Sequence, residues 1–188
     1  MKTSRGIMQV RNPGRAVRTL LSFGALVFLV AACSGTSPGS YSSGLHPERV
    51  TRAMTEVQKL KARGARVWCV PFARNLSGVN IRGNAGTWWD QAGNTYARGK
   101  EPQVGAVMAF SATGRNPRGH VAVVSELVEP RKVLIDHANW KRNQVSLRMA
   151  VVDISERNDW SAVRVESQPG NYGRVYPLDG FIYPTVVQ

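Results

Sequence analysis

The sequence predicts an α+β domain in which helices come first and an antiparallel sheet follows. Three observations predict it. Apolar residues at helical spacing fall between residues 47 and 92, strand-like runs follow one another from residue 104 onward, and 188 residues suffice for about one compact core. The chain carries no internal repeat, no glycine-rich phosphate loop and no carboxylate pair at a useful spacing.

The first helix opens at His46-Pro47-Glu48. Pro47 suits a first turn, Glu48 complements the helix dipole, Val50, Met54, Val57 and Leu60 trace one face, and Gly64 stops it. The second runs from Trp68-Cys69-Val70-Pro71 to Gly78, with Val70, Ala73 and Leu76 at helical spacing. Residues 83–92 predict a short third helix, capped by Thr87 or a neighbour and carrying Trp88 and Trp89, which pack the core or line a groove.

A turn and strand follow at Glu101–Phe110, and a loop over Ser111–Gly119 delivers the chain to His120. Strands are expected over Val121–Val128 and Val133–Asn139, further strand-like runs follow at Leu147–Asp153 and Ala162–Val165, and a last apolar stretch lies at Phe181–Val187. Period-two alternation would put His137 and Asn139 on one face of their strand and Asp136 on the other.

The first third of the chain differs from the rest. Residues 1–18 hold five basic residues and no acid, and Leu20–Ala32 is an apolar run too short for a stable membrane span. This is the pattern of a secretory signal, expected over residues 1–32. Its end, Leu29-Val30-Ala31-Ala32-Cys33, resembles the bacterial lipobox, in which the cysteine is lipidated and becomes the mature N-terminus. An ordinary signal peptide cut near the same alanines is the alternative. Residues 33–45, rich in Ser and Gly, are expected to be a flexible linker, and residues 46–188 the catalytic domain. Ser34 after the cysteine implies, by the same resemblance, an anchor on the periplasmic face of the outer membrane.

The chain has a formal charge of +13, and losing residues 1–32 lowers it to +8. A basic exported protein meets anionic wall polymers or lipid head groups, or simply has a basic soluble surface; export argues against nucleic acid. With Cys33 lipidated, Cys69 is the sole thiol of the mature chain, hence either a buried filler or a retained nucleophile. At a helix start, unpaired N–H groups and the dipole favour its thiolate.

Nucleophilic catalysis needs a base within hydrogen-bond reach and a third group that fixes the base's tautomer. Cys69, His120 and His137 meet these types in order, with Asn139 able to orient the ring or polarise a carbonyl. A metal site from Cys69, His120 and His137 is disfavoured, because no CxxC or HxxxH pair supplies close-spaced ligands.

The ordered set Cys69-Val-Pro-Phe-Ala-Arg, Pro102-Gln-Val-Gly-Ala-Val, Gly119-His-Val-Ala-Val-Val and His137-Ala-Asn-Trp resembles the CHAP family, the cysteine- and histidine-dependent amidohydrolase/peptidases, over roughly residues 60–142. The resemblance implies a papain-like fold with the N-terminal helices packed on the sheet. It also implies thiolate cleavage of amide bonds in the peptide part of peptidoglycan, with no cofactor or metal. Cys69 matches the family nucleophile, His120 its base, and Asn139 the asparagine before a tryptophan. His137 stands where a glutamate is common, as a histidine does in related papain-like wall peptidases. Trp68 replaces a frequent glutamine, so the backbone N–H of Cys69 is the one oxyanion donor implied. The expected protein is a monomeric, lipid-anchored peptidoglycan amidase or endopeptidase. The alternatives are an inert wall-binding lipoprotein of the same fold and a thiol hydrolase of a non-wall amide.

Overall fold

The computed structural model describes residues 44–187. The expected signal segment, Cys33 and nearly all of the expected linker lie outside the described residues. Three helices, α1 (Pro47–Ala62), α2 (Cys69–Ser77) and α3 (Trp88–Ala92), precede seven strands: β1 (Tyr96–Gly99), β2 (Val107–Phe110), β3 (His120–Glu129), β4 (Lys132–Ala138), β5 (Val145–Asp153), β6 (Ala162–Gln168) and β7 (Asn171–Val186). A 3₁₀ turn at Ala85–Thr87 leads into α3. The class is α+β with an antiparallel sheet.

The sheet order is β1-β7-β2-β3-β4-β5-β6, every pairing is antiparallel, and β7 also pairs with β6. Strand β7 makes this possible by its length. Its first half pairs with β6 from Asn171 to Pro177, and its second half runs between β1 and β2 from Leu178 onward. Six strands, β2 to β7, therefore close into a barrel, and closure removes the free edges that an open sheet would leave. At the crossover Gly180 has φ 143°, and a Cβ there would stand 2.6 Å from the Gly99 carbonyl oxygen and 2.7 Å from the Trp89 ring, so only glycine fits.

Alternation along the strands serves two cores. Phe72, Ala73 and Leu76 of α2 share one with Val121 and Val123 of β3 and with Trp88. The barrel interior is the other, filled by Met108, Phe110, Ala122, Val124, Val133, Ile135 and Phe181 among others. His120 and His137 continue the interior-facing rows of β3 and β4 (His120, Ala122, Val124 and Val133, Ile135, His137), which brings both rings to one end of the barrel.

Several expectations change in detail. Leu45, assigned to the linker, is buried in the first core, and the Gly44 N–H bonds the Ser125 carbonyl, so the packed domain begins before residue 46. Thr87 caps nothing through its side chain; its hydroxyl donates to the Asn84 carbonyl instead. Trp88 is fully buried and Trp89 packs against the same cluster, beneath Arg98, so the pair fills the core and neither ring lines the groove at Cys69.

Candidate active site

Cys69 is the first residue of α2. Trp68 before it is extended (φ −132°, ψ 151°), Pro71 occupies the first turn where its missing N–H costs nothing, and Gly78 ends the helix in the left-handed region with its N–H on the Arg74 carbonyl. Burial of Phe72, Ala73 and Leu76 seats the helix, leaving Cys69 partly exposed at its mouth. The backbone of Val121 hydrogen-bonds the sulfur, which places Sγ one residue along β3 from His120.

His120 opens β3 because the residue before it is glycine. Gly119 has φ +64°, and a Cβ there would meet Gly86 N at 2.5 Å. The contact exists because the Gly86 N–H donates to the Arg118 carbonyl at 2.7 Å, docking the 111–119 loop on the 3₁₀ turn. Phe110 stands opposite His120 in the β2–β3 register, with its ring edge-on at 5.7 Å.

His137 is fully buried, and its Nδ1 lies 3.0 Å from His120 Nε2, the rings crossing at 80°. With Nε2 so engaged, Nδ1 is the His120 nitrogen left for a thiol. Trp140 packs on both rings, at 5.3 Å from His137 and 5.0 Å from His120, and Tyr176 lies against Trp140 at 4.9 Å.

Asn139 is not where alternation put it. Strand β4 ends at Ala138, and Asn139 adopts φ +63°, which asparagine tolerates better than most residues. Its Oδ1 accepts from the Asn143 N–H at 2.9 Å and from Arg66 Nε at 3.1 Å, while its own N–H donates to the Gln144 carbonyl. The side chain therefore holds the 139–144 loop and lines the groove wall, and the hydrogen-bond partner of His120 Nε2 is His137.

Burial sets the protonation states. It pushes the His120 pKa down to about 3, and it drives His137 well below the ordinary histidine range, aided by the neighbouring His120 charge. Burial also raises the Cys69 thiol, against the pull of backbone N–H groups of Val121, Val70 and Cys69 itself. The helix start thus acts in the direction expected, but desolvation is larger. Burial thus favours the neutral thiol and the neutral imidazole.

Cys69 and His120 line a groove of about 830 Å³ together with Trp68, Asn84, Asn139, Trp140 and Tyr176. Arg115, Arg118 and Arg174 also line it, and among the described residues no acidic one does. Trp68 is 40% exposed at the rim with the Arg66 guanidinium 4.2 Å over its ring. Among the described residues no three His, Cys, Asp or Glu side chains gather as a metal site.

Phe110, Trp140 and Tyr176 were not assigned to the site from sequence. Trp140 alone has a signal, as the residue ending the His137-Ala-Asn-Trp run; Phe110 arrives through the β2–β3 register, and Tyr176 reaches Phe110 and Trp140 because the sheet closes.

Residues 61–139 match the family model described as CHAP domain. No curated protein matches the chain.

Proposed function

From the premise that residues 61–139 form a CHAP domain, we propose that this protein is an exported cysteine hydrolase of amide bonds in the peptide part of peptidoglycan, with the papain-like arrangement of that family. One observation carries the reading: a partly exposed cysteine at a helix start opens into the same groove as a histidine whose second nitrogen is held by another histidine.

In this reaction Cys69 Sγ attacks the scissile carbonyl carbon while His120 Nδ1 takes the thiol proton. Because burial favours the neutral form of both groups, proton transfer accompanies attack. The backbone N–H of Cys69 supports the oxyanion. As the tetrahedral species collapses, the C–N bond breaks, His120 returns its proton to the leaving amine, and a thioester on Cys69 remains. Water, deprotonated by His120, then attacks the thioester and frees the acid and the thiol.

The three arginines of the groove support a substrate that carries carboxylates, as wall stem peptides do. Export and lipid attachment through Cys33 rest on the basic residues, apolar run and Leu-Val-Ala-Ala-Cys sequence of the N-terminus. Mass spectrometry of fragments released from purified peptidoglycan tests the activity. New free amine and carboxylate termini in the released products are expected with the wild type, and intact wall after prolonged incubation would remove this function.

A further inference from the structure

A shared hydrogen between two imidazoles leaves the direction of the bond open. If His120 Nε2 donates to His137 Nδ1, then His120 Nδ1 holds a lone pair for the Cys69 proton. If His137 donates, His120 keeps its own proton on Nδ1, and the thiol faces a donor that cannot act as a base.

The other nitrogen of His137 decides between the two. His137 Nε2 lies 3.2 Å from Sδ of Met149. A thioether accepts a weak hydrogen bond and has no hydrogen to give. The second arrangement would set the Nε2 lone pair against the sulfur lone pairs at that distance, inside a buried site where an unmade bond is costly. We propose that Met149 is a positioning residue: its thioether holds His137 as the Nε2–H tautomer, so that His120 donates from Nε2 and presents Nδ1 to Cys69. This rests on the Cys69–His120 reading above.

The backbone shows how the sulfur is aimed. Between the pairs Ile135↔Met149 and His137↔Ser146, β5 carries one residue more than β4. Within that bulge Arg148 has φ +54°, and its N–H donates to Oδ1 of the buried Asp136 at 2.8 Å. Bulges re-aim side chains. Asp136, on the face of β4 opposite His137, thus pins the bulge from which Met149 reaches the ring.

The test uses Met149→Leu, which conserves volume but removes the acceptor, and Met149→Gln, which restores one as a carbonyl. Three quantities are read on the full chain: ring ¹⁵N shifts of both histidines, the rate of Cys69 alkylation by iodoacetamide, and kcat and KM for peptidoglycan. Wild type should show both rings as Nε2–H. Met149→Leu should populate the Nδ1–H forms and lower the alkylation rate and kcat together, by about 10-fold or more within the ~10²–10⁴ that general-base catalysis supplies, with KM unchanged. Met149→Gln should recover most of the loss. Unchanged ring shifts in Met149→Leu overturn the proposal, whatever the activity, and so does an unchanged alkylation rate. The first two readouts need no substrate, so a wild type inactive on wall would defeat the proposed function while still deciding the role of Met149.

Discussion

His120 Nε2 meets His137 Nδ1 at 3.0 Å, and the second ring is fully buried under Trp140. The proposed general base, His120, is therefore held by an imidazole rather than a carboxylate. A carboxylate would also stabilise the imidazolium that forms during attack; His137 can only hold the ring in place.

His137→Ala should accordingly lower kcat with little change in KM, by about 10- to 100-fold, part of the ~10²–10⁴ due to the base itself. Steady-state kinetics on solubilised wall fragments would show this. A rise in KM at constant kcat would mean that His137 serves binding.

The buried histidines also link stability to pH. An unfolded histidine takes up a proton below about 6.5, whereas folded His120 does so only near 3. The unfolded state therefore binds more protons between those values, and stability is held in full above about 6.5 and lost as pH falls toward 3. Thermal melts from pH 7 to pH 4 should show a falling Tm, with a smaller fall in His120→Gln. Activity of the folded enzyme should keep its acid limb well below the usual histidine range. A limb centred at pH 6 to 7 would contradict the depressed value.

Asn139 gives a contrast. Asn139→Ala removes the acceptor for the Asn143 N–H and Arg66, which should cost about 1 kcal/mol of stability and leave kcat within a few-fold. A loss of kcat as large as that of His137→Ala would restore Asn139 as the orienting group.

Gly119→Ala tests the loop that delivers His120. A Cβ at φ +64° and 2.5 Å from Gly86 N must push the loop off the 3₁₀ turn, so Tm and kcat should fall together, by roughly 1–3 kcal/mol in stability. Full activity with an unchanged melt would show that the docking does not set the ring.

The sequence made some of this legible and not the rest, for physical reasons. Pro71, Gly78 and the apolar spacing between them define α2 because each acts within one or two turns. His120 is legible because a glycine and following valines mark strand β3 locally, and His137 because the apolar run Val133–Ile135 marks β4. Asn139 was misplaced by one residue, since alternation does not say where a strand stops and asparagine accepts positive φ without a visible signature. Strand β1 and the first half of β7 escaped because Tyr96–Gly99 and Asn171–Pro177 are polar and barely alternate. Barrel closure follows from them and brings Tyr176 against Phe110 and Trp140, whereas Phe110 and Met149 reach the histidines through the register of the β2–β3 and β4–β5 pairs. Register and closure alike are set by pairing between strands, which no local pattern encodes.

The account turns on Cys69 and His120 acting as one unit. Its most direct test is the rate of fragment release from peptidoglycan by Cys69→Ala, His120→Ala and the double variant, each shown to be folded by its melt. If the pair is a single machine, either substitution alone should remove nearly as much rate as both together. Undiminished release by Cys69→Ala, or losses that multiply independently in the double variant, would contradict it.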